Sequence, residues 1–145
     1  MTSSESSGAV VVGVDGSACG DAAIDAASKL AKDLSDKVIV VFGYEPYRGA
    51  AEIADHRAAL EELGEELGKQ ALARVAAAGA EGELHLVDKD SVAALLQVAD
   101  ENDARMIVVG SYGDSPMKGA ILGSTPHKLV HLSKRPVLVV HGADE

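Results

Sequence analysis

The stretch AVVVGVDGS at residues 9–17 decides how the chain is read. Residues 9–14 form a short, β-branched, unbroken apolar run, the pattern of a strand buried on both faces rather than one alternating between core and water. Asp15-Gly16-Ser17 ends it as a turn. From 21 to 34 an Ala-rich segment then places Ile24, Ala27, Leu30, Ala31 and Leu34 at helical spacing. A doubly buried strand followed by an amphipathic helix is the opening unit of a parallel α/β sheet.

The alternation continues along the chain. Residues 37–43 (KVIVVFG) read as a second buried strand, and 51–78 as a helix with Ile53, Leu60, Leu63, Leu67, Ala71 and Val75 on one stripe. Gly64 and Gly68 weaken that helix. Residues 83–87 are a third strand, flanked by charge as an edge strand would be. Ser91 caps or opens a helix reaching about Asn102, with Val92, Leu95, Leu96 and Ala99 as its buried side. Residues 105–110 (RMIVVG) and 135–141 (RPVLVVH) are the fourth and fifth strands, separated by a glycine-rich loop and a helix near 125–133. The expected fold is α/β: an open, doubly wound, Rossmann-like five-stranded parallel sheet with right-handed crossovers and helices on both faces. Such sheets bind ligands at the carboxyl ends of their strands, where strand order reverses, so the informative loops follow Val14, Gly43 and Gly110.

The 145 residues suit one domain, expected over 9–145 after a polar, Ser-rich lead-in at 1–8 read as a disordered tail. A formal charge of −10 argues against nucleic acid, which is held through clustered Lys and Arg. A small anion is not excluded, because a few backbone N–H groups at a helix N-terminus hold one whatever the net charge. Cys19 is the only cysteine and cannot form an internal disulfide; with no apolar leader or long apolar run, the expectation is a cytoplasmic protein without membrane contact.

The loop after the fourth strand, GSYGDSPMKGAILGST at 110–125, carries the chemistry. Two residues separate Gly110 from Gly113, and nine separate Gly113 from Gly123-Ser124. At a strand tip, glycine permits positive φ and lets the backbone approach a ligand without a Cβ in the way. Gly123, Ser124 and Thr125 would present unpaired N–H groups and two hydroxyls at a helix N-terminus, where phosphate is favoured. Asp15, at the tip of the first strand, lies at the same end of the sheet. It reads as a contact to a ribose hydroxyl or to a metal bridging phosphates, against the plainer role of turn former. Neither a Walker A loop nor a G-x-G-x-x-G fingerprint is present.

From residue 9 to 141 the chain resembles the universal stress proteins, on the opening VVVGVDGS, the fourth-strand ending VVGSYG, the loop ending LGST and the final strand RPVLVV. The nucleotide-binding branch of that family carries G-x2-G-x9-G-[ST], met here by Gly110, Gly113, Gly123 and Ser124. The resemblance implies a sheet of the adenine nucleotide alpha-hydrolase type that binds ATP. Gly13, Val14 and Asp15 would border the adenosine, and Gly43 would offer backbone hydrogen bonds to adenine. Gly110, Ser111, Tyr112, Gly113, Asp114, Ser115 and Pro116 would wrap ribose and phosphate; Ser124, Thr125 and Pro126 would receive the phosphates. It further implies a homodimer through the last strand, Val137, Leu138, Val139 and Val140. Mg²⁺ with the phosphates at Asp15, and cyclic AMP or AMP in place of ATP, are separate readings of the same cleft. Asp88-Lys89-Asp90 departs from the glycine-containing turn often found after the family's third strand: its acids would repel a triphosphate, or Lys89 would reach it.

Other features read plainly. His127 and His131 have the spacing of a zinc pair but lack a following Glu and a third ligand, so they are read as ordinary histidines. Ser17 would reach a phosphate or cap the following helix. Cys19 is read as an inert thiol, and Glu61, Glu62, Glu65 and Glu66 as a solvated helix face. The leading expectation is an ATP-binding sensor or regulator linked to stress, with at most slow hydrolysis and no catalytic residue assigned. A cyclic-AMP carrier, a metal-dependent nucleotide hydrolase and an interaction protein with a vestigial cleft stand as alternatives.

Overall fold

The computed structural model describes residues 8–45, 53–111 and 122–142. Along them strand and helix alternate: β1 (Ala9–Gly13), α1 (Ala18–Leu34), β2 (Lys37–Gly43), α2 (Ile53–Ala77), β3 (Gly82–Val87), α3 (Ser91–Glu101), β4 (Met106–Gly110), α4 (Ser124–Leu132) and β5 (Val137–Val140). The strands form one five-stranded parallel sheet in the order β3-β2-β1-β4-β5. The α/β sheet expected from the strand and helix pattern is therefore present, with β3 and β5 at its edges. No helix among the described residues is long and apolar enough to cross a membrane.

The central strand explains the unbroken apolar run. Val10, Val11 and Val12 have no accessible surface, and burial of each side chain contributes roughly 1.5–3 kcal/mol. The pleat sends them to two cores. Val10 and Val12 join Ile24 and Ala27 of α1 and Ala71 and Val75 of α2, while Ala9 and Val11 join Leu95 and Val98 of α3 and Leu129 of α4.

Several boundaries shift for identifiable reasons. β1 ends at Gly13, although the Val14 N–H still donates to Val41 O at 3.0 Å. α1 begins at Ala18 because Ser17 caps it, its Oγ accepting the Gly20 N–H at 3.0 Å. Helix α2 runs unbroken through Gly64 and Gly68. A Cβ on Gly64 would lie 2.4 Å from Phe42 Cδ2, and one on Gly68 would lie 2.4 Å from Leu84 Cδ2. These glycines let the helix settle onto β2 and β3, so close packing offsets their propensity cost of roughly 1 kcal/mol each. β5 is shorter than the expected 135–141: Pro136 has no N–H to give a ladder, though its carbonyl accepts the Ile107 N–H at 3.0 Å.

At the amino end of the sheet one carboxylate ties three strands together. The Asp36 side chain is fully buried. Its Oδ2 accepts from Arg105 Nε at 2.6 Å, and its Oδ1 accepts from Arg105 Nη2 at 3.1 Å and from the Gly8 N–H at 2.9 Å. Gly8, Asp36 and Arg105 immediately precede β1, β2 and β4. Hydrogen bonding from Arg105 holds the Asp36 carboxyl below the usual carboxylate range, against the upward push of burial.

A depressed carboxyl stabilises the fold above its unfolded pKa, and that stabilisation is lost as pH falls through the folded value. Asp36→Asn should therefore cost about 2–3 kcal/mol in urea melts at pH 7. The gap to wild type should close as pH drops below about 4; a gap of equal size at pH 7 and pH 2.5 would contradict this account.

Candidate functional site

From β1 the chain builds outward through β2 to β3, then crosses back to place β4 on the other side of β1. Helices α1 and α2 cover one face, α3 and α4 the other. Where the direction reverses, the loops beyond β1 and β4 separate to opposite faces and leave a crevice. It has a volume of about 740 Å³, within the range of small-molecule sites. Val41, Leu95 and Val109 contribute apolar surface to it. Gly13, Val14 and Asp15 line it after β1, Gly43 after β2, Gly110 at the end of β4, and Gly123, Ser124, Thr125 and Pro126 at the start of α4. The structure thus brings together the expected residues from four separate loops. Ser111 is buried outside the lining. Tyr112, Gly113, Asp114, Ser115 and Pro116 lie outside the described residues.

Gly110 corrects one expectation. It closes β4 without a positive φ, and its missing Cβ is explained by α1: a Cβ there would lie 2.8 Å from the carbonyl carbon and Cβ of Cys19. Glycine here seats the first turn of α1 against β4, which buries Cys19 and brings Gly20 to the crevice wall. Gly43 is equally confined, since a Cβ would lie 2.8 Å from Ala94 Cβ and 2.9 Å from the Lys89 carbonyl oxygen. The Tyr44 N–H donates to Val87 O of β3 at 3.0 Å. Strand alternation directs the preceding Gly43 N–H the other way, towards β1, which has already ended.

The N-terminus of α4 differs from those of α1 and α3. Ser17 and Asp90 cap the latter two with their side chains, whereas Gly123 at the α4 cap makes no side-chain hydrogen bond. The Gly123 N–H donates to Ser111 O at 2.7 Å, the His127 N–H donates to Gly123 O at 3.1 Å, and Pro126 has no N–H. Helix geometry leaves the N–H groups of Ser124 and Thr125 without intrahelical acceptors, at the positive end of the helix and on the crevice wall. Ser111 fixes this end in place: its N–H donates to Val140 O at 2.9 Å and its Oγ lies 3.7 Å from Cys19 Sγ.

Charged groups are few here. Asp15 Oδ1 accepts the Ser17 N–H at 2.9 Å and the Ser17 hydroxyl at 2.7 Å. Asp15 is thus a turn former as well as a lining residue, with Oδ2 the carboxylate oxygen that Ser17 does not engage. Asp88 pairs with Arg57, and Asp90 Oδ1 caps α3 by accepting the Ala93 N–H at 2.9 Å. None of Asp88, Lys89 and Asp90 is in the lining, which Ser91 joins directly after them.

The sequence pattern missed His127 and Lys128, both exposed and both lining the crevice. They directly follow the glycine pattern on the first turns of α4, yet His127 had been weighed only as half of a metal pair. Its ring meets that of His131 edge-on, centroids 4.9 Å apart at 65°, and no group of three metal-ligating side chains occurs among the described residues. Of the four glutamates on α2, Glu62, Glu65 and Glu66 are exposed as expected. Glu61 is half-buried and accepts the Tyr44 hydroxyl at 2.6 Å, which pushes that phenol's pKa up.

Comparison with known proteins agrees with this architecture. The model of the universal stress protein family matches residues 7–141. A universal stress protein of Mycobacterium tuberculosis is 34% identical over 139 residues, covering 91% of this chain and 94% of that protein. One from Mycolicibacterium smegmatis is 32% identical over all of this chain, which spans about half (52%) of that relative's length. A crystal structure of a universal stress protein in complex with cAMP superimposes with a TM-score of 0.74 at 34% identity, over 94% of this chain and 98% of that one. The parallel sheet, the crevice at its reversal point and these matches together make the chain a member of the universal stress protein family.

Proposed function

We propose that this protein binds an adenine nucleotide in the crevice at the carboxyl ends of β1 and β4 and acts as a stress-linked sensor or regulator in the cytoplasm. The observation that carries the reading is the uncapped N-terminus of α4, which offers the Ser124 and Thr125 amides to a phosphate at the wall of a crevice of about 740 Å³. ATP is the proposed ligand. The adenine would lie over Val41 and Leu95 beside the Gly43 N–H, with the ribose near Gly13, Val14 and Asp15. Mg²⁺ fits as an ion held mainly by the phosphates, with Asp15 Oδ2 as one protein oxygen, the sparse coordination this ion accepts. With Asp15 Oδ1 already engaged by Ser17, support for orienting an attacking water is thin, so hydrolysis is proposed to be slow at most. Cyclic AMP is the second reading, favoured by the solved relative in complex with cAMP at 34% identity.

We further propose a homodimer through β5. Val137, Leu138, Val139 and Val140 form an edge strand of the parallel sheet, and Leu138 is 37% exposed on it.

Calorimetric titration with ATP plus Mg²⁺, cyclic AMP and GTP tests the first proposal. Saturable heat from an adenine nucleotide and none from GTP is expected, and silence from all three would overturn it. Ser124→Pro is a sharper probe: proline is tolerated at the first helical position after an extended Gly123, and it deletes one phosphate-facing N–H. Affinity should fall about tenfold with thermal stability unchanged. For the dimer, sedimentation of Leu138→Lys should give a monomer where the wild type gives a dimer; a monomeric wild type would remove the β5 proposal.

A further inference from the structure

Resting on the nucleotide reading above, we propose that His127 is a phosphate ligand in its protonated form, so that nucleotide affinity is set by pH. Three observations lead there. Pro126 removes the third amide of the α4 first turn and the His127 N–H returns to Gly123 O, so only two backbone donors remain for an anion. His127 lines the same crevice as those two amides, one helical turn from the cap. Finally, its ring is set against His131, edge to face at 4.9 Å, which restricts the orientation of an otherwise exposed imidazole.

The charges around His127 are unevenly placed. On α4 itself its neighbours are Lys128, in the same lining, and the His131 ring. Across the crevice stands Asp15, whose Oδ1 is held by Ser17. Of the elements packed on α4, β4 and β5 carry no titratable side chain. The acids of α3, Asp100 and Glu101, lie at its far end: Asp100 pairs with Arg135 ahead of β5, and Glu101 lines a groove beside β3. Among the described residues, Lys128 is the one lysine or arginine in the lining and His127 the one imidazole, the side-chain type suited to switching charge near neutral pH. A phosphate bound beside the ring favours its charged form. Binding near neutral pH therefore takes up a proton from solvent, and affinity rises as pH falls.

The test is calorimetric titration of the full chain with cyclic AMP and with ATP at pH 5.5, 6.5, 7.5 and 8.5, for wild type, His127→Gln and His131→Gln. Cyclic AMP keeps a single charge over this range, and for ATP the ratio of wild-type to variant affinity cancels the ligand's own titration. Wild type should bind about tenfold more tightly at pH 5.5 than at 8.5. At pH 7.5, heats in buffers of different ionisation enthalpy should register proton uptake. His127→Gln should bind with pH-independent affinity near the wild-type value at pH 8.5, while His131→Gln, which only loosens that ring, should keep a pH response of reduced size. Binding that is flat with pH in the wild type, or a response that His127→Gln retains or His131→Gln equally loses, overturns the inference and leaves the nucleotide reading standing. Absence of binding at every pH overturns both.

Discussion

The arrangement at the carboxyl end of the sheet depends on one constraint: β1 is buried on both faces and paired on both edges. Val10, Val11 and Val12 have no exposed surface, β2 occupies one edge and β4 the other. The chain must therefore leave β1 towards one side and return to the other. Because each crossover is right-handed, the two halves of the chain place their helices on opposite faces. The loops beyond β1 and β4 cannot then cover the strand ends between them. The crevice follows from the topology, and the residues that line it follow from where each strand stops.

The two ends of the sheet divide their polar groups differently. At the amino end the donors are satisfied inside the protein: Asp36 accepts from Gly8 and Arg105, and the Arg105 N–H donates to Ala9 O at 2.8 Å. At the carboxyl end, two amides of α4 are left without intrahelical acceptors, and the cap that would satisfy one of them is a glycine. Buried or partly buried donors are costly to leave unpaired. The contrast between a closed end and an open end is the feature on which the proposed anion site at the α4 terminus rests.

Most of the fold was legible because its signals are local. The valine run at β1, the helical stripe of α1 and the capping residues act within a few positions of one another, and they were read to within a turn. Failures came where a distant partner overrides a local rule. Gly64 and Gly68 argue against a helix until Phe42 and Leu84 are seen to fill the space their side chains would need. Gly110 has the look of a permissive loop residue, but its reason is Cys19, brought against it from another element. The Asp36–Arg105 pair spans 69 positions and follows no periodic pattern. At the crevice, Gly110, Gly123 and the Ser124-Thr125 pair stand out by spacing, while Gly13 and Gly43 stand out only through the resemblance. His127 and Lys128 do neither, since their relevance depends on which face of α4 turns towards the crevice.

The sparse charge of the site has its own logic. With a formal net charge of −10 the protein repels anions at long range, yet that field is screened beyond roughly 8 Å at physiological ionic strength. Recognition of the proposed phosphate would therefore rest on short-range donors: two helix amides, one lysine and an imidazole. Amides are neutral and carry no desolvation penalty of the size an ion pays. A site built on them tolerates the acidic surface around it, and it discriminates by the position of the phosphate rather than by total charge. Such a site suits a ligand whose base and sugar supply part of the binding, through the apolar surface of Val41, Leu95 and Val109. Net charge and local geometry thus agree with the proposed class of ligand, a small anion with an apolar ring rather than a polyanion.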